Sequence, residues 1–234
     1  MPQKVICKVA ELIDHGEHVY SLILEPNTPT PRFLPGQFLH LALDAYSPGD
    51  YWPESRVFSI ASSPTDRNYV RITYAVKGKF THRMESELHC GSEVWVKLPY
   101  GDFIVAPMTD VCLLAGGTGI TAFTAFLFGL TSDYENSIYI FYGVRHSELL
   151  IYRSLVDDTA KRCVNLHPFY FIEEGIDSGS LTGQINLNEV WKKIPDPHEV
   201  AYYLSGPPIM LKTLHTGLTE RDLPPEQILM DAWE

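Results

Sequence analysis

Long blocks of one charge, clustered cysteines and an unbroken apolar segment are all missing from this 234-residue chain. Its net charge of −11 is spread along the sequence, which disfavours nucleic acid and anionic membrane as partners and leaves a complementary protein surface open. Cys7, Cys90, Cys112 and Cys163 stand too far apart for a C-x-x-C pair or a larger cluster. That argues against structural zinc and a cysteine-ligated iron–sulfur cluster, and for a reducing compartment. The nine histidines include no H-E-x-x-H spacing, so no metal site is expected. Lys4, Lys8, Glu11 and Asp14 interrupt the N-terminal apolar residues, so a signal peptide is not expected and a cytoplasmic location is. Val111 to Leu130 is uncharged, but Gly116, Gly117, Thr118, Gly119 and Thr121 break it where a membrane helix would leave backbone groups without partners. A strand followed by a helix accounts for this segment better than a membrane span.

What is present is the composition of a globular protein, 45% hydrophobic and 20% charged, in a chain long enough for two small domains. Up to about Phe103 the sequence reads as short strands separated by turn signals, such as Pro26 to Pro31 and Ser47 to Asp50. These strands are Val5 to Ala10, Val19 to Leu24, Gln37 to Leu43, Arg56 to Ile60, Tyr69 to Tyr74 and Glu93 to Leu98. One helix, Phe80 to Leu88, is expected among them, opened by Thr81. The rhythm predicts an antiparallel β-barrel. From Asp110 onward strands alternate with helices, which predicts a parallel α/β sheet. Strands are expected at Val111 to Ala115, Ser137 to Tyr142, Val164 to Ile172 and Ala201 to Leu204. Helices are expected at Thr121 to Leu130, about Leu149 to Ala160 and Pro207 to Leu218. The expected domains are 1–105 and 106–234.

Gly117, Gly119 and Ala122 fit G-x-G-x-x-A between a buried strand and a helix, a pattern suited to a pyrophosphate at a helix N-terminus. A turn that needs only a left-handed backbone would explain the same glycines. Gly78-Lys-Phe-Thr81 is a second glycine turn opening a helix; an anion site and an ordinary helix capped by Thr81 explain it equally. Arg56-Val-Phe-Ser59 joins a guanidinium, an aromatic and a hydroxyl at a strand end, with Arg56 and Phe58 on one face by alternation. Ser205-Gly-Pro-Pro-Ile-Met210 follows the last long strand and begins a helix with prolines in its first turn, where a missing N–H is harmless. This turn and the Gly116 turn both lie at the carboxyl ends of parallel strands, where open α/β sheets bind ligands.

In this order the motifs resemble the ferredoxin–NADP reductase-like flavoenzymes, whose members carry R-x-[YF]-[ST], G-x-x-[ST], P-x-G-x-F, G-G-T-G-[IV] and [CS]-G-P-P-x-M. Here these are Arg56, Phe58 and Ser59; Gly78 and Thr81; Pro99, Gly101 and Phe103; Gly116 to Ile120; and Ser205 to Met210. Pro35-Gly-Gln-Phe38 precedes them. The resemblance spans nearly the whole chain.

The resemblance implies a FAD-binding barrel followed by an NAD(P)-binding α/β domain. Its flavin set would be Arg56, Val57, Phe58, Ser59, Tyr74, Val76, Gly78, Lys79, Phe80 and Thr81. Arg56 would pair with a flavin phosphate, Phe58 would lie along the isoalloxazine and Ser59 would bond near its N5. The nucleotide set would be Gly117, Thr118, Gly119, Arg145, Gly206, Pro207 and Met210. Ser59, Thr118, Ser205 and Asp231 would stand nearest the reacting atoms. Asp231-Ala-Trp233 resembles the family's acidic-x-aromatic ending, so Trp233 either covers the flavin face or simply packs at the terminus. Ser205 stands where many relatives have cysteine. The implied activity is that of an NAD(P)H-dependent flavoprotein oxidoreductase of the ferredoxin reductase type. Hydride would pass from the nicotinamide to FAD, and electrons would then pass to a separate acceptor, a ferredoxin or an oxygenase iron–sulfur component. A free-flavin reductase, or a non-catalytic electron-transfer subunit, would carry the same motifs. The second strand of the α/β domain runs into Arg145 and reaches no carboxylate before Glu148, which favours NADPH over NADH. Arg145 could instead pair with Glu148.

Overall fold

The computed structural model describes residues 2–231, and the chain divides into two compact units, Met1–Ile104 and Val105–Glu234. Ala232, Trp233 and Glu234 lie outside the described residues, and with them the expectation for Trp233.

The first unit is an antiparallel sheet of six strands: β1 (Gln3–Asp14), β2 (Val19–Pro26), β3 (Phe38–Ala42), β4 (Ser55–Ser59), β5 (Val70–Ala75) and β6 (Glu93–Tyr100). Their spatial order is β4-β3-β6-β1-β2-β5. Period-two burial drives it: Val5, Cys7 and Val9 of β1 and Val94, Val96 and Leu98 of β6 are buried, while the residues between them are more exposed. The sheet curls into a nearly closed barrel. Its end strands β4 and β5 are not paired along their length, although just beyond β4 the Ala61 N–H donates to the Arg71 carbonyl at 2.8 Å. Helix α1 (Lys79–Glu87) buries Phe80 and Met84, four residues apart and so on one helix face. The Gln37 side chain donates to the Gly101 carbonyl at 3.1 Å, tying the Pro35 turn to the end of β6.

The second unit is a six-stranded parallel sheet of β7 (Val111–Gly116), β8 (Ile138–Val144), β9 (Leu166–Ile172), β10 (Leu181–Thr182), β11 (Ala201–Ser205) and β12 (Ile228–Met230), ordered β10-β9-β8-β7-β11-β12. Every residue of β7 is buried, as a parallel strand covered on both faces requires. The uncharged run from Val111 is therefore β7, a 3₁₀ turn at Gly117–Ile120 and α2 (Thr121–Gly129), whose residues up to Leu127 are buried. Helix α3 (Arg153–Arg162) follows β8, and α5 (Pro208–Thr219) follows β11. The sequence reading missed three short elements: β10, β12 and α4 (Leu187–Lys193), the last capped by the Asn186 side chain accepting from the Glu189 N–H at 3.1 Å. Each is too short to show a hydrophobic period. Among the described residues no helix is long and apolar enough to cross a membrane.

Candidate functional site

In the barrel unit the chemistry gathers at the unpaired margin between β4 and β5. Arg56 is exposed; its Nη2 donates to Glu54 Oε1 at 3.0 Å and its Nη1 to the Ser55 carbonyl at 2.9 Å, while the guanidinium lies 5.2 Å from the Phe80 ring centre. An exposed ion pair of this kind is worth about 0–1 kcal/mol, so Arg56 can exchange Glu54 for a phosphate at little cost. The Phe58 ring stands 5.9 Å from Tyr74, which stacks on Tyr20 at 5.8 Å. Glu85 Oε1 accepts from the Tyr20 hydroxyl at 3.0 Å and contacts His18 Nδ1 at 2.7 Å. The Glu85 bond raises the His18 pKa. Tyr20 and Glu85 escaped the sequence reading, because a tyrosine in a strand and a glutamate on a helix carry no signal until the fold joins them.

The Tyr74 hydroxyl is buried and has no hydrogen-bond partner among the described residues, and burial pushes its pKa up so that it stays a neutral donor. A buried polar group left unpaired costs about 1–3 kcal/mol, which an acceptor on a bound ligand would offset. Val57 and Ser59 on β4 are half-buried, and Val76, just past β5, bonds through its N–H to the His18 carbonyl at 2.9 Å.

The Gly78 turn corrects one expectation. Gly78 and not Thr81 is the N-cap of α1, the helix begins at Lys79, and Thr81 is its third residue. Thr81 Oγ1 accepts from the Lys77 and Gly78 N–H groups at 2.9 and 3.1 Å and donates to the Gly78 carbonyl at 3.0 Å. The hydroxyl is spent on fastening the turn. A Cβ built at Gly78 would meet nothing within 4 Å, so the space before this helix is open.

In the second unit the strand order runs outward from β7 through β8, β9 and β10 on one side and through β11 and β12 on the other. The reversal falls between β7 and β11, and the turns that leave these two strands meet there. A Cβ on Gly119 would stand 2.6 Å from the Gly206 nitrogen and overlap the Ser205 carbonyl; one on Gly116 would lie 2.5 Å from the Met210 sulfur. These two glycines therefore let one turn pack on the other. Gly117 differs, with φ of +54° and nothing within 4 Å of an added Cβ, so its face of the turn is open. Thr118 is half-buried beside it. Pro207 is the N-cap of α5, and Pro208 occupies a first-turn position where its missing N–H is harmless.

Ser205 is 3% exposed and donates from Oγ to Asp231 Oδ2 at 2.9 Å. Strand β12 makes this possible: Met230 pairs with Leu204, and the Asp231 N–H donates to the Leu204 carbonyl at 2.9 Å. Burial raises the Asp231 carboxyl to about 6, against the opposing effect of the Ser205 bond, and its Oδ1 is buried with no partner among the described residues. Arg145, just past β8, is exposed and has no carboxylate partner among the described residues; it does not pair with Glu148.

Residues 113–216 match the family described as Oxidoreductase NAD-binding domain, a stretch that holds both glycine turns. The chain is 27% identical over 218 residues to the 2-halobenzoate 1,2-dioxygenase electron transfer component of Burkholderia cepacia, an alignment covering 88% of this chain and 60% of that protein. The family match falls within the second unit, and over most of its length the chain is similar to reductase and electron transfer components. Another relative is the flavohemoprotein of Bacillus subtilis, 25% identical over 230 residues, covering 94% of this chain and 57% of that protein. The chain thus spans less than two thirds of these curated relatives. Among solved structures, the flavohem-like FAD/NAD-binding domain of nitric oxide dioxygenase from Vibrio cholerae shares the fold, with a TM-score of 0.82 at 19% identity and 97% of both chains covered.

Proposed function

We propose that the chain is an NAD(P)H-dependent flavoprotein reductase of the cytoplasm that binds FAD on its barrel unit and the nicotinamide nucleotide on its α/β unit. Its acceptor is a separate ferredoxin or oxygenase iron–sulfur component. The observation that carries the reading is the unpaired β4–β5 margin, which holds an exchangeable guanidinium, two aromatic rings and a buried hydroxyl with no hydrogen-bond partner among the described residues. Bound there, a flavin supplies hydride acceptance from reduced nicotinamide and onward release of electrons.

The chain's own residues position and tune. Arg56 binds a phosphate, Phe58 and Tyr74 flank the ring system, Val57, Val76 and Phe80 fill in around it, and Ser59 offers a hydroxyl. Lys79 adds a charge beside the open space before Gly78. In the α/β unit Gly117 presents open backbone to the pyrophosphate, Thr118 and Ser205 orient the nicotinamide, Met210 and Pro207 support that turn, and Arg145 takes a 2′-phosphate. Asp231 is a positioning residue that holds the Ser205 hydroxyl and can keep a proton of its own. The catalytic set is thus Ser59, Thr118 and Ser205, with Asp231 positioning Ser205 and no acid–base pair required.

The test is anaerobic. The purified protein is expected to be yellow, to release FAD and not FMN on denaturation, and to bleach on addition of NADPH or NADH. Arg56→Ala should weaken FAD retention by about one to two orders of magnitude, the loss of one charge-assisted bond. Extraction of FMN, or unchanged FAD affinity in that variant, would overturn the assignment. Flavin that binds but does not bleach would restrict the chain to a non-catalytic role.

A further inference from the structure

The outer face of the barrel carries an arrangement that the cofactor reading leaves unused. In the pairing registers, Lys97 of β6 stands opposite Lys4 of β1 on one side and His40 of β3 on the other, so three basic side chains form one row across three strands. Like charges directly opposite one another destabilise a sheet. Acidic residues are not in short supply: the chain has 29 against 18 basic ones, and further along the same β1–β6 pair Lys8 faces Glu93. Among the described residues neither Lys4 nor Lys97 has a carboxylate partner.

Aromatic rings hold the row in place. Lys4 Nζ lies 4.0 Å from the Tyr46 ring centre and bonds to its hydroxyl; Lys97 Nζ lies 5.3 Å from the Tyr100 ring and 5.9 Å from that of Trp52. Tyr46 in turn packs against Trp52 at 5.4 Å and Trp95 at 5.5 Å, and Tyr100 meets His40 edge-on at 4.8 Å. Burial and the neighbouring Lys97 both lower the His40 pKa, so the row's charge is that of its lysines. Trp52, Trp95 and Lys97 are only half-buried, and Lys4 is exposed. Partly exposed tryptophan supplies anchors of the kind that dominate protein–protein binding, and lysines without carboxylate partners supply steering charge.

We propose that this face, built on β1, β3 and β6 with Tyr46 and Trp52 laid over it, docks an acidic segment of another protein. Cross-strand side chains start about 5 Å apart, close to the spacing of residues four apart on a helix, so carboxylates at i and i+4 fit the lysine pair. The net charge of −11 repels the extended polyanion of a nucleic acid or an anionic membrane, whereas a short acidic segment reaches the row alone.

The probe is an alanine-based helical peptide with glutamates four residues apart, titrated into the holoprotein at about 20 mM salt, where surface charges are little screened. Tryptophan emission and calorimetry follow binding. Saturable binding is expected, weaker at higher salt and weaker by about tenfold or more in K4E/K97E. The K4Q/K97Q variant, which removes the charges without reversing them, should also lose affinity. Dye reduction with NADPH should be unchanged in both variants, which separates failure of docking from failure of the redox reading. The proposal is overturned by absent or lysine-independent binding, or by equal binding of the glutamine version of the peptide. Lysine-dependent binding of phosphatidylserine vesicles or duplex RNA in preference to the peptide would assign the face to another partner class and equally overturn it.

Discussion

Replacing Asp231 with asparagine should stabilise the α/β unit, and only at neutral and alkaline pH. The carboxyl is buried beside Ser205, one oxygen bonded and the other without a partner among the described residues, and its folded pKa of about 6 lies above its usual 3.8. That difference corresponds to a penalty of ~3 kcal/mol once the group is ionised. Because the folded pKa is the raised one, the native state holds the proton more tightly than the unfolded chain. The stabilisation is complete below about pH 4 and is lost as the pH rises through 6. Asparagine keeps the acceptor for Ser205 and can never ionise. Asp231→Asn should therefore melt higher than wild type above pH 7, by up to about 10 °C at roughly 2–4 °C per kcal/mol for a chain of this size. The two proteins should converge near pH 4. Calorimetry of both across pH 4 to 8 is the assay. A variant that melts lower at pH 8, or a gap that does not change with pH, would refute the reasoning.

Gly119→Ala places a Cβ against the Ser205 carbonyl and the Gly206 nitrogen, groups held by strand β11, and should cost about 3 kcal/mol in urea unfolding while weakening nucleotide binding. Thr81→Val removes the acceptor that fastens the Lys77 and Gly78 N–H groups; it should lower stability by about 1–2 kcal/mol and loosen FAD, whereas Thr81→Ser should restore both. Arg145→Ala should raise the KM for NADPH about tenfold and leave that for NADH nearly unchanged, the loss expected for one charged contact to a phosphate; equal losses with both nucleotides would remove the 2′-phosphate role.

The division into an antiparallel barrel and a parallel α/β unit is legible in the sequence because burial imposes different periods on the two halves. Strands buried on one face alternate, as in Val94, Val96 and Leu98, whereas β7, covered on both, is a continuous apolar run. The glycine turns are legible for the same reason that makes them necessary, since no other residue fits where two turns press together at Gly119. What escapes is whatever depends on pairing at long range. Nothing in Ile228-Leu-Met230 announces a strand, yet its three residues bring Asp231 to Ser205. The helix position of Thr81 is not legible because a threonine near a helix start fits the cap and the third position alike, and only the backbone decides between them.

The barrel's open margin bears on how the protein behaves before its cofactor arrives. Strands β4 and β5 are both sheet ends, so each presents backbone donors and acceptors that another extended chain can use. Arg56, a charge on one of these ends, hinders such pairing until a ligand occupies the margin. With a flavin as the proposed occupant, flavin supply during synthesis would govern solubility: chains made in flavin-starved cells should associate through their barrel edges, and those lacking Arg56 should do so soonest.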